Sequence, residues 1–134
     1  MIQHVCDKAP QIDILVNCAG IALQELPDIW QQKKEDYQMA FSINTVAPIM
    51  LCNYFIPHML ERGFGRILNV TSNIHHRPEL MAYACSKAAL DKFIYDISPS
   101  LDNSGVLISA VDPGGVRTDM GGENAPHSVD SVIP

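Results

Sequence analysis

The segment Arg66-Ile67-Leu68-Asn69-Val70-Thr71 decides the fold, because it is a nearly continuous apolar, β-branched run bounded by turn residues. Such a run is typical of a strand that is buried on both faces, as in a parallel sheet. Two further segments have the same character, Ile12–Asn17 before it and Val106–Val111 after it. The sequence therefore predicts three parallel strands, each covered on both of its faces.

Helical segments separate the predicted strands. One runs from about Lys34 to Arg62 and is closed by Gly63, and a second runs from about Ala82 to Leu101. In the second, side chains at alternating spacings of four and three form one helical face: Tyr83, Lys87, Leu90, Ile94 and Ile97. Strands that alternate with helices indicate an α/β protein with right-handed crossovers, here part of a doubly wound, Rossmann-type parallel sheet.

The number of strands is small for this architecture, which usually has about five or six. We therefore expect residues 1–134 to form a single, partial domain that corresponds to the second half of a larger fold. Residues 1–10 would be the end of a preceding helix, and the chain becomes polar and loop-like from Gly121 onward. The first strand would be an open, apolar edge, which is a pairing liability.

Composition excludes several classes of function. The chain is 47% hydrophobic and has a formal net charge of -6, and its 9 Lys and Arg residues form no cluster. A nucleic-acid partner is therefore not expected. No apolar run approaches about 18 residues, so we expect no membrane partner. The four cysteines form no C-x-x-C pair, which favours reduced thiols in a cytoplasmic protein over a metal site, and the N-terminal residues lack the layout of a secretory signal.

Tyr83 and Lys87 are candidates for acid–base chemistry. Residues four positions apart lie above one another on a helix, so the Lys87 ammonium would approach the Tyr83 hydroxyl. A nearby positive charge stabilises the phenolate and is expected to lower the pKa of Tyr83. The alternative interpretation is a surface pair one turn apart.

Ser72 and Asn44 are two further candidates. Ser72 follows the second strand, where it could donate a hydrogen bond to a carbonyl oxygen, or simply cap a turn. Pro48 has no N–H to donate to the carbonyl of Asn44, so we expect a helix kink at Asn44 and a free acceptor that could hold a relay water. The alternative is a kink that only curves the helix.

Together with two other segments, these residues resemble the short-chain dehydrogenase/reductase family over nearly the whole chain. Asn17-Cys18-Ala19-Gly20 is similar to the family's N-N-A-G turn, and Tyr83 with Lys87 matches its Y-x-x-x-K pair. Asn44 and Ser72 fall at its catalytic Asn and Ser positions. Pro113-Gly114-Gly115-Val116-Arg117-Thr118 matches its P-G-x-x-x-T segment. The tail resembles a carbonyl-reductase branch related to the C-factor and sniffer proteins.

The resemblance implies an NAD(P)-dependent oxidoreductase that interconverts a small-molecule carbonyl compound and a secondary alcohol. Tyr83 would be the acid–base, Lys87 would hold the ribose and lower the pKa of Tyr83, Ser72 would polarise the carbonyl, and Asn44 would hold a relay water. The implied contacts to NADP or NAD are Asn17, Ala19, Gly20, Tyr83, Lys87, Pro113, Gly114, Val116 and Thr118. No metal ligand is implied.

The sequence departs from the family pattern in several places. The glycine-rich pyrophosphate loop and the residues that choose between NAD and NADP have no counterpart here. The gap between Ser72 and Tyr83 is about two residues short, so Thr71 is the alternative to Ser72. The loop that contains His75, His76 and Arg77 is expected to be solvated rather than to face substrate.

Two further interpretations concern the activity and the assembly of the chain. The alternative to an enzyme is a non-catalytic fragment that pairs with another subunit through its edge strand. The resemblance also implies a homo-oligomer in the full-length form, built through the helices that carry Asn44 and Tyr83. Residues 50–60 could serve that interface or form ordinary core.

Overall fold

The fold is a parallel sheet with helices on one of its faces. The computed structural model describes residues 11–23 and 28–132. Its strands are β1 (Ile14–Asn17), β2 (Gly65–Val70) and β3 (Val106–Val111). They are parallel and lie in the order β1-β2-β3. The three predicted strands and the α/β class are thus confirmed, with boundaries that differ by two residues or fewer. The predicted helix end in residues 1–10 lies outside the described residues.

Three α-helices cross between the strands: α1 (Lys34–Phe41), α2 (Ala47–Arg62) and α3 (Met81–Ile97). The predicted helix over residues 34–62 is confirmed, with a π-helical segment at Ser42–Val46 between α1 and α2. The predicted helix over residues 82–101 begins one residue earlier and ends in a short 3₁₀ turn. The structure contains such turns at Ile29–Gln31, Pro78–Leu80, Ser98–Leu101 and Val129–Val132.

The helix kink predicted at Asn44 is found as the π-helical segment Ser42–Val46. Pro48 cannot donate the next helical hydrogen bond, and the Ala47 N–H instead donates to the carbonyl of Ser42, five residues back. The wider turn places Asn44 and Thr45 in the protein interior, where they are 1% and 6% exposed. The proline therefore does more than curve the helix, because the wider turn contains the predicted site residue Asn44.

The hydrophobic core lies between α2 and the inner face of the sheet. Ile67 and Val106 on the strands pack with residues of α2 and with Leu101. In the stretch over residues 50–60, the inner side belongs to the core and the outer side is exposed, so the core interpretation is confirmed and the interface stays a prediction. Cys52, Phe55, Ile56 and Met59 are buried, whereas Met50, Tyr54 and Leu60 are exposed.

Cysteine chemistry in the described part of the chain is that of free thiols. Cys18, Cys52 and Cys85 form no disulfide. Burial raises the pKa of Cys52 to about 11. The Cys52 thiol therefore stays protonated at neutral pH and serves as a small core residue.

The prediction that the strands are covered on both faces is wrong for the residues that the structure describes. Ile14 is 65% exposed, Val16 54% and Leu107 58%. Successive side chains of a strand point to opposite faces, and the described helices pack against one face only. An apolar run shows that a strand suits burial, but it does not specify what covers each face.

The long helical stretch Lys34–Arg62 is also apolar enough, by length and composition alone, to cross a membrane. In the structure its buried residues pack against the sheet and α3, for example Asn44, Cys52 and Met59. This packing is that of a core helix.

Two glycines with positive φ give a test of the turn before β3. At Gly105, with φ +80°, a Cβ would overlap the carbonyl oxygen of Gly63, whereas at Gly122, with φ +75°, a Cβ would meet open space. We expect Gly122→Ala to cost about 1–2 kcal/mol from left-handed strain alone. Gly105→Ala should cost about 1–3 kcal/mol more, because the backbone must also move. Urea unfolding of the two variants measures the difference, and equal costs would contradict the close approach at Gly105.

Candidate active site

The carboxyl ends of the three strands gather the candidate residues. Residues 18–20 follow β1, Ser72 follows β2, and Pro113 follows β3, at the edge where parallel sheets bind ligands. Helix α3 reaches this edge through Lys87, whose Nζ donates to the Val70 carbonyl at 2.7 Å. The end of β2 and the helix that carries Tyr83 are thereby held together.

Asn44 is the central connection of the site. Its Oδ1 accepts from the Ile21 N–H at 2.8 Å, and its Nδ2 donates to the Ile21 carbonyl at 2.8 Å. The same Nδ2 donates to Ser86 Oγ at 2.9 Å, and Ser86 Oγ donates to the Tyr83 carbonyl at 2.7 Å. The Asn44 amide therefore clamps the loop after β1 to α3, which is a structural role beside the predicted one.

Thr45 and Ser86 are site residues that sequence reasoning missed. Thr45 Oγ1 donates to the Ser86 carbonyl at 2.7 Å, and both side chains are buried. The sequence offered one signal for these two residues: Thr45 directly follows the candidate Asn44, and Ser86 directly precedes the candidate Lys87. Polarity alone does not show that such residues turn inward, because Ser and Thr are usually exposed.

Gly20 brings the loop after β1 against two functional side chains. A Cβ at this position would lie 3.2 Å from Asn44 Oδ1 and 3.3 Å from Lys87 Nζ. Such distances are tighter than ordinary van der Waals contact, so any side chain here would push the Asn44 amide or the Lys87 amine aside. The structure thus brings the predicted residue Gly20 together with Asn44 and Lys87.

Asn17 ends β1, and its side chain bonds within the sheet. Its Nδ2 donates to Asn69 Oδ1 at 2.8 Å and contacts Cys52 Sγ at 3.7 Å. Asn69 is fully buried, so this pair joins β1 to β2 on the inner face of the sheet. The Asn17 amide is engaged within the core, whereas Ala19 is exposed at the edge.

Tyr83 is half-buried, and its hydroxyl is held in the protonated form. Burial raises the pKa of Tyr83, a hydrogen bond with Ser72 acts to lower it, and the negative charge of Asp112 raises it further. The expectation that Lys87 lowers the pKa of Tyr83 is wrong for this structure. The Lys87 amine is directed to the Val70 carbonyl and lies 5.9 Å from the centre of the Tyr83 ring.

Lys87 is itself affected by its surroundings. Burial lowers the pKa of Lys87, whereas the neighbouring ionisable groups of Cys18 and Asp91 act to raise it. Desolvation disfavours the ammonium form. The Lys87 amine is therefore a buried donor fixed by one carbonyl rather than a solvated surface charge.

The choice between Ser72 and Thr71 follows from their contacts. The Thr71 N–H donates to the Val111 carbonyl at 2.8 Å, and its side chain is turned into the protein at 5% exposure. Ser72 is the next residue and interacts with the Tyr83 hydroxyl. Ser72 is therefore the hydroxyl that the structure brings to Tyr83.

Asp112 joins two of the loops at this edge. Its Oδ2 accepts from the Asn73 N–H at 2.7 Å, and its Oδ1 accepts from the Gly114 N–H at 2.8 Å. One carboxylate thus sets the distance between the loop after Ser72 and the segment that begins at Pro113. Sequence reasoning missed it, although an Asp before Pro-Gly is a signal for an Asx turn.

The rest of the Pro113–Thr118 segment folds against residues 121–127. Val116 forms a parallel bridge with His127, and the His127 N–H donates to the Gly115 carbonyl at 3.0 Å. The Thr118 hydroxyl accepts from the Gly121 N–H at 3.1 Å. The contacts of Val116 and Thr118 are therefore with this turn, and the region after residue 121 is the expected polar loop with one isolated bridge and one 3₁₀ turn.

The prediction for the loop with His75 and His76 is also answered. His75 and His76 are exposed, in agreement with a solvated loop. Within residues 11–23 and 28–132, no group of three or more His, Cys, Asp or Glu side chains is placed to hold a metal ion.

The two influences on Tyr83 predict shifts of opposite sign. Asp112→Asn removes a negative charge, so the phenolate becomes less costly and the pKa of Tyr83 should fall. Ser72→Ala removes a hydrogen bond to the phenolate, so the pKa of Tyr83 should rise. NMR titration of ring-labelled tyrosine measures both, with the Tyr83 signal assigned from Tyr83→Phe. Asp102→Asn, a carboxylate at the opposite end of β3, is the control and should leave the signal unchanged; shifts of the same sign in both variants would contradict the arrangement.

Comparison with known proteins gives one family. The profile described as short chain dehydrogenase matches residues 1–128. A short chain dehydrogenase of Pseudocercospora fijiensis is 38% identical over 130 residues, which cover 90% of this chain and 40% of that protein. The chain spans about half the length of the curated relatives it matches.

Solved structures agree with the sequence matches. NADPH-bound carbonyl reductase from chicken fatty liver superposes with a TM-score of 0.82 and 26% identity, covering 98% of this chain and 59% of that one. Carbonyl reductase Sniffer of D. melanogaster superposes with a TM-score of 0.81 and 27% identity, covering 98% of this chain and 58% of that one. The matched residues, the parallel sheet and the Tyr83–Lys87 helix lead to one conclusion: this chain belongs to the short-chain dehydrogenase family of oxidoreductases.

Proposed function

We propose that this protein is an NAD(P)-dependent oxidoreductase that interconverts a carbonyl compound and a secondary alcohol. The observation that carries the proposal is the meeting of Ser72, Tyr83 and Lys87 at the carboxyl edge of the sheet. A half-buried phenol and a second hydroxyl beside it can both donate hydrogen bonds to the oxygen of a reacting carbonyl group. The chicken liver protein, a carbonyl reductase with NADPH bound, supports both the reaction class and the cofactor class.

The residues at this edge fit a nicotinamide cofactor, NADP or NAD. Gly20 keeps the space beside Asn44 and Lys87 free of a side chain, and the exposed backbone at Ala19 and Gly114 can face a ligand. We propose that Ala19, Gly20, Lys87 and Gly114 hold the nicotinamide and its ribose. When bound, the cofactor supplies or accepts the hydride. The side chains of Asn17 and Thr118 would support their loops instead.

Tyr83 is proposed to move the proton. Because its pKa is raised, the hydroxyl is protonated at neutral pH and can donate a proton to the carbonyl oxygen as that oxygen gains charge. Ser72 would donate a hydrogen bond to the same oxygen and polarise the carbonyl group. In the reverse direction, the deprotonated form of Tyr83 would receive the proton of the alcohol.

Lys87 and Asn44 are proposed to position this pair. Lys87 ties α3 to the end of β2, and Asn44 ties α3 to the loop after β1. Both connections hold Tyr83 in a fixed place relative to the strand ends. Rigid placement of a proton donor is itself a contribution to rate, because little reorganisation is needed when the substrate binds.

Tyr83→Phe is the direct test. It removes the proton donor but keeps the ring, so turnover should fall by about 10²–10⁴-fold. Consumption of NADPH or NADH with a panel of aldehydes and ketones measures it. Tyr95→Phe is the matched control, because Tyr95 lies on the same helix and is 76% exposed, and it should keep full activity.

Cofactor binding is measured separately by thermal melting. A ligand that binds only the folded state raises the melting temperature, and Tyr83→Phe should keep that shift. Turnover that survives in Tyr83→Phe would refute the assignment of the proton donor. Wild-type protein without turnover or a cofactor-dependent shift would refute the proposed activity.

The exposed sheet face favours a second candidate, a non-catalytic module that pairs through β1. Ile14 and Val16 form an apolar surface at the edge of the sheet. Such a module would show no melting shift with cofactor, and it would self-associate in sedimentation experiments. Val16→Lys would weaken that association by placing a charge in the contact.

The partners and the location are proposals as well. A small-molecule substrate follows from the family, and exposed Met50 and Tyr54 on α2 offer an apolar surface for a homo-oligomer. We propose a cytoplasmic location, which the free thiols of Cys18, Cys52 and Cys85 support.

A further inference from the structure

The hydrogen bonds between β2 and β3 continue past the ends of the two strands. The Thr71 N–H donates to the Val111 carbonyl at 2.8 Å, and two residues further on the Asn73 N–H donates to Asp112 Oδ2 at 2.7 Å. Alternate residues of a strand turn their N–H groups to the same neighbouring strand, so the Asp112 carboxylate stands where the next main-chain acceptor of the ladder would be. A side chain thereby extends the contact between the strands into the two loops that follow them.

The second oxygen of the same carboxylate shapes the chain that leaves β3. Asp112 Oδ1 accepts from the Gly114 N–H at 2.8 Å, which closes an Asx turn around Pro113. The proline ring fixes φ near about −65°, so little freedom is left in this turn. Hydrogen bonds from N–H groups to a carboxylate are stronger than those to a neutral acceptor. One side chain therefore joins the Gly114 turn firmly to the loop after β2.

The chain after Gly114 folds onto residues 121–127. The Arg117 N–H donates to the His127 carbonyl at 2.8 Å, and the His127 N–H donates back to the same segment. These bonds give the region its shape, but they do not join it to β2. The side chain of Asp112 makes that connection.

Ser72 has a support of its own. It directly follows Thr71, whose N–H is held by the Val111 carbonyl, and its hydroxyl interacts with Tyr83. Loss of the Asp112 side chain would therefore leave Ser72 and Tyr83 in place and release the turn after β3. The proton-transfer side and the loop after β3 are thus held by different bonds.

We propose that Asp112 is a positioning residue for the cofactor, because its carboxylate holds the Gly114 turn in a fixed place at the carboxyl edge of the sheet. The inference rests on the proposed function, in which Gly114 is one of the residues that hold the nicotinamide and its ribose. Asp112 acts through Gly114 rather than by touching NADP or NAD. A turn that is ordered before the ligand arrives binds it more tightly, because the cost of ordering is not taken from the binding free energy.

Asp112→Ala removes both acceptor oxygens and is the first test. The Gly114 turn should loosen, so the Kd of the more tightly bound cofactor, NADPH or NADH, should rise by about tenfold. The KM for that cofactor should rise in parallel, whereas kcat at saturating cofactor should stay within about threefold, because Ser72 and Tyr83 keep their places. Isothermal titration and steady-state kinetics measure these values. A merely structural Asp112 would lower the melting temperature and leave Kd unchanged, which overturns the proposal.

Asp112→Asn separates the hydrogen bond from the charge. Asparagine closes the same Asx turn through its amide oxygen but carries no charge, so Kd should stay within about threefold of the wild-type value. Binding as weak as that of Asp112→Ala would make the charge responsible and would overturn the role of the turn. Asp102→Ala is the control, because this carboxylate lies at the opposite end of β3, and it should keep the wild-type Kd.

Amide hydrogen exchange tests the same bonds without cofactor or turnover. The N–H groups of Asn73 and Gly114 should be protected in the wild-type protein, and Asp112→Ala should speed the exchange of both. Gly114 should stay protected in Asp112→Asn, and unchanged exchange of Gly114 in Asp112→Ala overturns the proposal.

The binding data keep this inference distinct from the proposed function. Wild-type protein that protects Gly114 but binds neither NADPH nor NADH refutes the proposed function, and the positioning role falls with it. Cofactor binding that Asp112→Ala leaves intact refutes the positioning role alone.

Discussion

The side chain of Asn44 is the interaction on which the site depends. It satisfies both backbone groups of Ile21 and at the same time binds Ser86 on α3. Without it, the part-buried backbone groups of Ile21 and the buried Ser86 hydroxyl would each lose a hydrogen-bond partner. The close approach of Gly20 to Lys87 also follows from this clamp, because the loop after β1 can lie there only while Asn44 holds it.

The other connections extend this clamp across the carboxyl edge. Lys87 binds the end of β2, and Asp112 spans the loops after β2 and β3. In each case a side chain holds backbone groups of another element. Tyr83 and Ser72 are thus placed by a frame in which few atoms can move independently, which is the condition for a preorganised site.

Much of the fold and of the site was predictable, and the limit is physical. Strands and helices follow from local apolar patterns, and Tyr83 with Lys87 follows from a spacing of four on one helix. By contrast, Asn17 and Asn69 meet across 52 positions, and Asn44 and Ser86 across 42. No local pattern encodes such pairs, which explains why the hydrogen bond of Asn17 with the buried Asn69 was not predicted.

The π segment has a consequence for the length of the chain. Its wider turn accommodates one residue more than an α-helix would, and each helical residue turns the chain by about 100°. A deletion anywhere between Phe41 and Ala47 would rotate Asn44 or the whole apolar side of α2 out of place. The number of residues in this stretch is therefore constrained more tightly than most of their identities, so homologous chains should vary here by substitution and almost never by insertion or deletion.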